Sequence, residues 1–120
     1  MDDISGSGDP GVDVFVDANL SSFAAWDVVV YLEHSGGVSA GLADLVGRLG
    51  RRDHEVETVL HDLVSGGIVV ASAEPDGVVR YVLSADPAVR RTVARFVELA
   101  KVRGIRLEFV RRVLAHMPRG

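Results

Sequence analysis

The residues best equipped for chemistry in this chain cluster between positions 51 and 61. Arg51 and Arg52 carry permanent positive charge. His54, Thr58 and His61 follow at spacings of four and three, which put all three on one side of a helix. An arginine can bind a phosphate or the two acceptors of guanine, and a threonine can touch a thymine methyl. A helix N-terminus also favours phosphate. Against this, the stretch carries Asp53, Glu55, Glu57 and Asp62. Carboxylates repel a phosphate backbone, although one can accept from cytosine. Acids early in a helix also suit its dipole, so a merely solvated face is the plain alternative.

Other chemistries find little footing. The four histidines are His34, His54, His61 and His116. His54 and His61 would stand about 10.5 Å apart along a helix axis, too far to share an ion. There is no cysteine, hence no disulfide and no thiolate metal site. Neither a glycine-rich phosphate loop followed by lysine nor a nucleophile-elbow motif is present. The carboxylates are scattered along helix faces, so no catalytic pair emerges. The expectation is a protein that is not an enzyme and needs no metal or cofactor.

The elements that would position Arg51 to His61 read as helix, turn, helix, strand, tight turn, strand. Ser39 is placed to cap a helix over 39–49, with Leu42, Leu45, Val46 and Leu49 at helical spacing. Residues 50–52 turn the chain. Val56, Val59, Leu60, Leu63 and Val64 give a single apolar stripe over 53–65, closed by Gly66 and Gly67. Strands over 68–72 and 78–83 flank Glu74-Pro75-Asp76-Gly77, where proline suits the first turn corner and glycine the position of positive φ. Arg80 is the one base of this ribbon, and its acidic tip would be repelled by a phosphate backbone.

Around this block the organisation is coarser. Residues 1–11 are acidic and rich in Gly and Ser, which predicts a disordered leader. The start is neither basic nor apolar, unlike a secretory signal. Val12 to Asp17 is β-prone and reads as an edge strand or an extended arm. Ser21 or Ser22 can cap a central helix over 23–34 that is apolar nearly all round, with Trp26 and Phe23 expected in the core beside Phe96. Asp86 and Pro87 open a last helical segment, interrupted near Gly104 as one kinked helix or two, and Pro118 ends it. Its apolar seam is Val89, Val93 and Phe96, then Leu107, Val110 and Leu114. Basic residues flank that seam, which reads as a homodimer contact or as a stripe packed on the chain's own core.

Net charge is −4 over 120 residues, unevenly spread. Residues 1–38 hold seven acids and no Lys or Arg; residues 86–120 hold nine Lys and Arg against three acids. A uniformly basic nucleic-acid-binding domain would look different. No run is long and apolar enough for a bilayer, which takes about 20 residues. Absent cysteine makes the cytoplasm the default compartment.

The block from Phe23 to Leu83 resembles the winged-helix domains of bacterial transcriptional regulators, of the broad MarR/ArsR kind. Leu42-Ala43-Asp44-Leu45 with Leu49-Gly50 carries the resemblance, as does Val56 to Leu63 followed by Gly66-Gly67-Ile68-Val69. The cysteine metal motif of the ArsR group is absent. The resemblance implies a mainly α fold with a small β-wing over 12–85 and a C-terminal helical extension over 86–120 that dimerises. It further implies double-stranded DNA as partner, contacted by Arg51, Arg52, His54, Thr58 and His61, with Arg80 as a subsidiary wing contact. The acidic helix and wing tip keep a second reading open: a winged-helix module that binds a protein instead of DNA.

Overall fold

The computed structural model describes residues 6–117. Six helices and three short strands follow in the order α1 (Pro10–Asn19), α2 (Phe23–His34), β1 (Ala40–Gly41), α3 (Leu42–Leu49), α4 (Asp53–Ser65), β2 (Val69–Ala73), β3 (Val79–Leu83), α5 (Pro87–Leu99) and α6 (Arg103–His116). The fold is mostly helical, with one small antiparallel sheet in the order β1-β3-β2. No helix among the described residues is long and apolar enough to cross a membrane.

The first helix replaces the strand or arm expected over Val12 to Asp17. Asp9 caps α1 by accepting from the Val12 N–H at 3.2 Å, and Pro10 takes the first helical position. Val12, Phe15 and Val16 are buried at helical spacing, and Val14 faces outward. Packing against α5 and α6 overrides the local β preference. The expected leader is partly held too: the Ser7 N–H donates to Asp13 Oδ1 at 3.1 Å. The rest of that leader, residues 1–5, and the expected stop at Pro118 lie outside the described residues.

Helix α2 spans 23–34 as its cap and apolar content predict, with Ser22 Oγ accepting from the Ala25 N–H. Ala24, Ala25, Val28, Val29 and Leu32 are buried, so α2 is the central rod of the fold. The start of α3 differs from expectation. Gly41, not Ser39, is its cap residue, and Asp44 Oδ2 accepts from the Gly41 N–H at 3.2 Å. Ala40 and Gly41 are drawn into β1, opposite Tyr81 and Arg80 of β3. Pairing with β3 satisfies backbone groups that a longer helix would have had to satisfy itself.

Gly50, at φ +65°, ends α3 in the left-handed conformation and lets α4 start three residues later. Helix α4 covers 53–65, and its Val56, Val59, Leu60 and Leu63 are buried against α2 and α3. The β2–β3 turn closes with the Gly77 N–H donating to the Glu74 carbonyl at 2.8 Å, Gly77 at φ +86°.

The C-terminal segment is two helices. The break falls at residues 100–102, so Gly104 lies in the first turn of α6. Four aromatic rings tie these helices to the centre: Phe96 lies 5.6 Å from Phe15, 5.3 Å from Trp26 and 5.1 Å from Phe109. The seam expected for a dimer is therefore divided. Val93 and Phe96 are fully buried in the chain's own core and cannot meet a partner, and Val89 is half-buried. The α5 stripe is consumed by α1 and α2. In α6 it is Phe109 and Val113 that point inward; Leu107 and Leu114 stay 56% and 55% exposed, with Val110 half-buried.

Candidate nucleic-acid interface

With its apolar stripe on the core, α4 turns His54, Glu55, Glu57, Thr58, His61 and Asp62 to the outside. His54, Thr58 and His61 are thus brought onto one exposed face, as their spacing requires. Arg52 caps the helix through its backbone, leaving its exposed side chain without a carboxylate partner among the described residues. The first turn still carries Asp53 and Glu55, which stabilise it through the dipole.

Arg51 does not join this face. Its Nη2 and Nε donate to Asp27 Oδ2 at 2.8 and 3.0 Å, and its Nη1 donates to Glu55 Oε2 at 3.1 Å. The hydrogen bond to Asp27 is the main cause that raises the guanidinium pKa above its ordinary value. A charge already shared between two carboxylates has little left to offer a phosphate.

A groove of about 600 Å³ runs along α4 where the N-terminus of α2 meets it. Ser21 and Ser22 line one wall; Arg52, His54, Thr58 and Asp62 line the other. The sequence marks Ser21 and Ser22 only as candidate caps of α2, because nothing local to them indicates that they meet a helix beginning at residue 53. Hydroxyls, a helix N-terminus and the Arg52 guanidinium suit a phosphodiester oxygen, whereas Glu55 and Asp62, which line the same groove, repel one.

The β2–β3 hairpin contributes less. Arg80 is half-buried and its Nη1 lies 3.9 Å from Asp44 Oδ2. It borders a second groove, of about 570 Å³, with Asp44, Asp53 and Glu57 for neighbours. At the tip, Asp76 Oδ1 accepts from the Val78 N–H at 2.9 Å, and Glu74 adds a second negative charge.

The basic C-terminal helices pack on α1 and α2, whereas α4 packs on α2, α3 and β2. Much of their charge is used internally. Arg112 reaches Asp17 at 2.5 Å, Glu108 at 3.0 Å and Asp13 at 3.8 Å, which clamps α6 to α1. Arg111 pairs with Glu108 at 2.7 Å and Arg95 with Asp9 at 3.4 Å. Among the described residues there is no group of three or more His, Asp or Glu that could hold a metal ion.

Comparison with known proteins found no matching family model, no matching curated protein and no matching solved structure.

Proposed function

We propose that this chain is a winged helix-turn-helix protein of the cytoplasm that binds double-stranded DNA and regulates transcription, with α4 as its recognition helix. The single observation that carries the reading is topological. A two-residue strand, two helices joined by a three-residue turn and a β-hairpin follow one another, the first strand pairs with the last, and the outer face of the second helix is left open. Within this reading Arg52, Ser21 and Ser22 bind backbone phosphates. His54, Thr58 and His61 reach base edges. Arg51 is a structural residue instead, and Arg80 contributes at most through an ion pair it must first leave.

The test is binding to random-sequence duplex at low salt. A backbone-contacting protein binds there and weakens steeply as salt rises. Absence of binding at low salt removes the reading.

One observation favours a second reading, an interaction module for another protein. Arg51 and Arg80 are both engaged by carboxylates, and the wing tip is acidic. Such a surface suits a basic protein segment better than a nucleic acid. Retention of a lysine- and arginine-rich peptide by a chain that ignores duplex DNA would support it.

A further inference from the structure

The outer edge of β2 is an unfilled row of backbone hydrogen-bonding groups. In the sheet order β1-β3-β2, β2 pairs on one side only. Two bonds fix which groups face which way. The Ser84 N–H donates to the Ile68 carbonyl at 2.9 Å, and the Glu74 N–H donates to the Val78 carbonyl at 2.8 Å. Val70 opposite Val82 and Ser72 opposite Arg80 continue that set, so residues 68, 70, 72 and 74 turn their backbone groups toward β3. Ala71 and Ala73 alternate with them and turn theirs away from it. No other described segment forms a backbone hydrogen bond with Ala71 or Ala73.

The edge carries none of the features that keep strands from pairing. Residues 69–73 hold no charge and no proline, and the register runs through them without a bulge. Val70, Ala71, Ser72 and Ala73 are all exposed. None of them lines either groove beside α4.

We infer that the β2 edge accepts an extended segment of another protein as a fourth, antiparallel strand, and that basic residues begin that segment. The backbone decides the shape of the occupant. Ala71 and Ala73 present two N–H and two C=O groups about 6.8 Å apart, the spacing of alternate residues in an extended chain. A helix satisfies its own backbone groups and cannot answer them. Antiparallel pairing continues a sheet that is antiparallel throughout, and it is the more stable ladder.

Charge decides the ends of the occupant. Glu74 and Asp76 lie just beyond Ala73, and Arg80, the one base of the hairpin, is turned to Asp44 instead. An antiparallel strand begins beside this acidic tip, so Lys or Arg at its N-terminal end meets both carboxylates. Two copies of the chain joined edge to edge about Ala71 would set each Glu74 opposite the other's Ile68 and leave the acids unanswered. The inference holds whether or not α4 binds DNA.

Two end-capped peptides test it on the full chain at low salt: Lys-Lys-Val-Thr-Val-Thr and its reverse, Thr-Val-Thr-Val-Lys-Lys. The first is expected to bind several-fold more tightly. It should slow amide exchange at Ala71 and Ala73, whereas Val70 and Ser72, already bonded to β3, should change little. N-methylation of one alternate set of its amides should abolish binding, and of the other set should leave it. Ala71→Pro removes an outward N–H and no bond of the sheet, and should weaken binding at least about tenfold. The methylated peptides decide the matter without altering the protein, should that variant fold poorly. Glu74→Lys should remove the preference between the two peptides. Unaltered exchange at Ala71 and Ala73 with both peptides, no preference for the first, or equal response to both methylated sets would overturn the inference. So would protection of Ala71 and Ala73 that grows with the concentration of the chain alone, since a second copy would then hold the edge.

Discussion

Arg51 and Asp27 are joined by two hydrogen bonds to one carboxylate oxygen, at 2.8 and 3.0 Å, across 24 positions of sequence. The pair fastens the turn between α3 and α4 to the middle helix α2. It fixes the angle at which α4 leaves the core, and so the direction of the exposed face that carries Arg52, His54 and Thr58. Replacing Asp27 by Ala should lower stability by about 0.5–1 kcal/mol, since both groups are partly exposed and solvent screens them. Arg51→Ala should cost a similar amount, and the double variant less than the sum of the two. Urea denaturation of the four proteins checks this; strict additivity would mean the pair contributes nothing.

Arg52→Glu separates fold from partner. The side chain is exposed and makes no ion pair among the described residues, so stability should stay within about 0.5 kcal/mol. In the DNA-binding reading, duplex affinity should drop, and the dependence of log affinity on log salt should become shallower by about one phosphate contact. An unchanged salt slope would remove Arg52 from the interface.

The tip of the β2–β3 hairpin gives the converse test. Glu74→Lys takes a negative charge from the end of the hairpin that would approach a phosphate backbone. In the DNA-binding reading, low-salt affinity for random duplex should rise. Fluorescence anisotropy showing no rise would mean that the hairpin stays clear of the duplex.

Arg112 is the clamp between the first and last helices, with its guanidinium among Asp13, Asp17 and Glu108. Arg112→Ala would leave these carboxylates facing one another, and Asp13 and Glu108 are largely shielded from water. A loss of about 1–3 kcal/mol is expected. Faster proteolysis within α1 should accompany it, because α1 leans on α5 and α6. An unaltered cleavage rate would show that apolar packing alone holds α1.

Acid should loosen the same region. Glu108 has its pKa lowered, chiefly by the hydrogen bonds from Arg111, and Arg112 adds to the effect. A depressed carboxyl pKa in the fold means that its contribution is complete above the pKa of the unfolded chain. It is lost as pH falls through the lower folded value. Glu108→Gln should therefore be less stable than the parent at neutral pH and lose less on acidification below the ordinary carboxyl range. Parallel stability curves for the two proteins would show the pairing to be idle.

Local physics makes several elements legible in the sequence. The stripe from Val56 to Leu63 defines α4, Ser22 caps α2, Asp86 with Pro87 starts α5, and Gly77 sits where the hairpin needs positive φ. Each depends on neighbours a few residues away, and hydrophobic period, capping and turn chemistry act over that range. What tertiary structure decided lies beyond it. Val12 to Asp17 is a helix because α5 and α6 cover its one apolar face, whereas the sequence alone favours an edge strand or an extended arm there. Arg51 was withdrawn from the candidate interface by an aspartate on another helix. The apolar repeats of α5 and α6 look alike in sequence, yet Phe96 faces inward and Leu107 outward. Periodicity shows that a stripe exists; only the arrangement of the other helices determines what covers it.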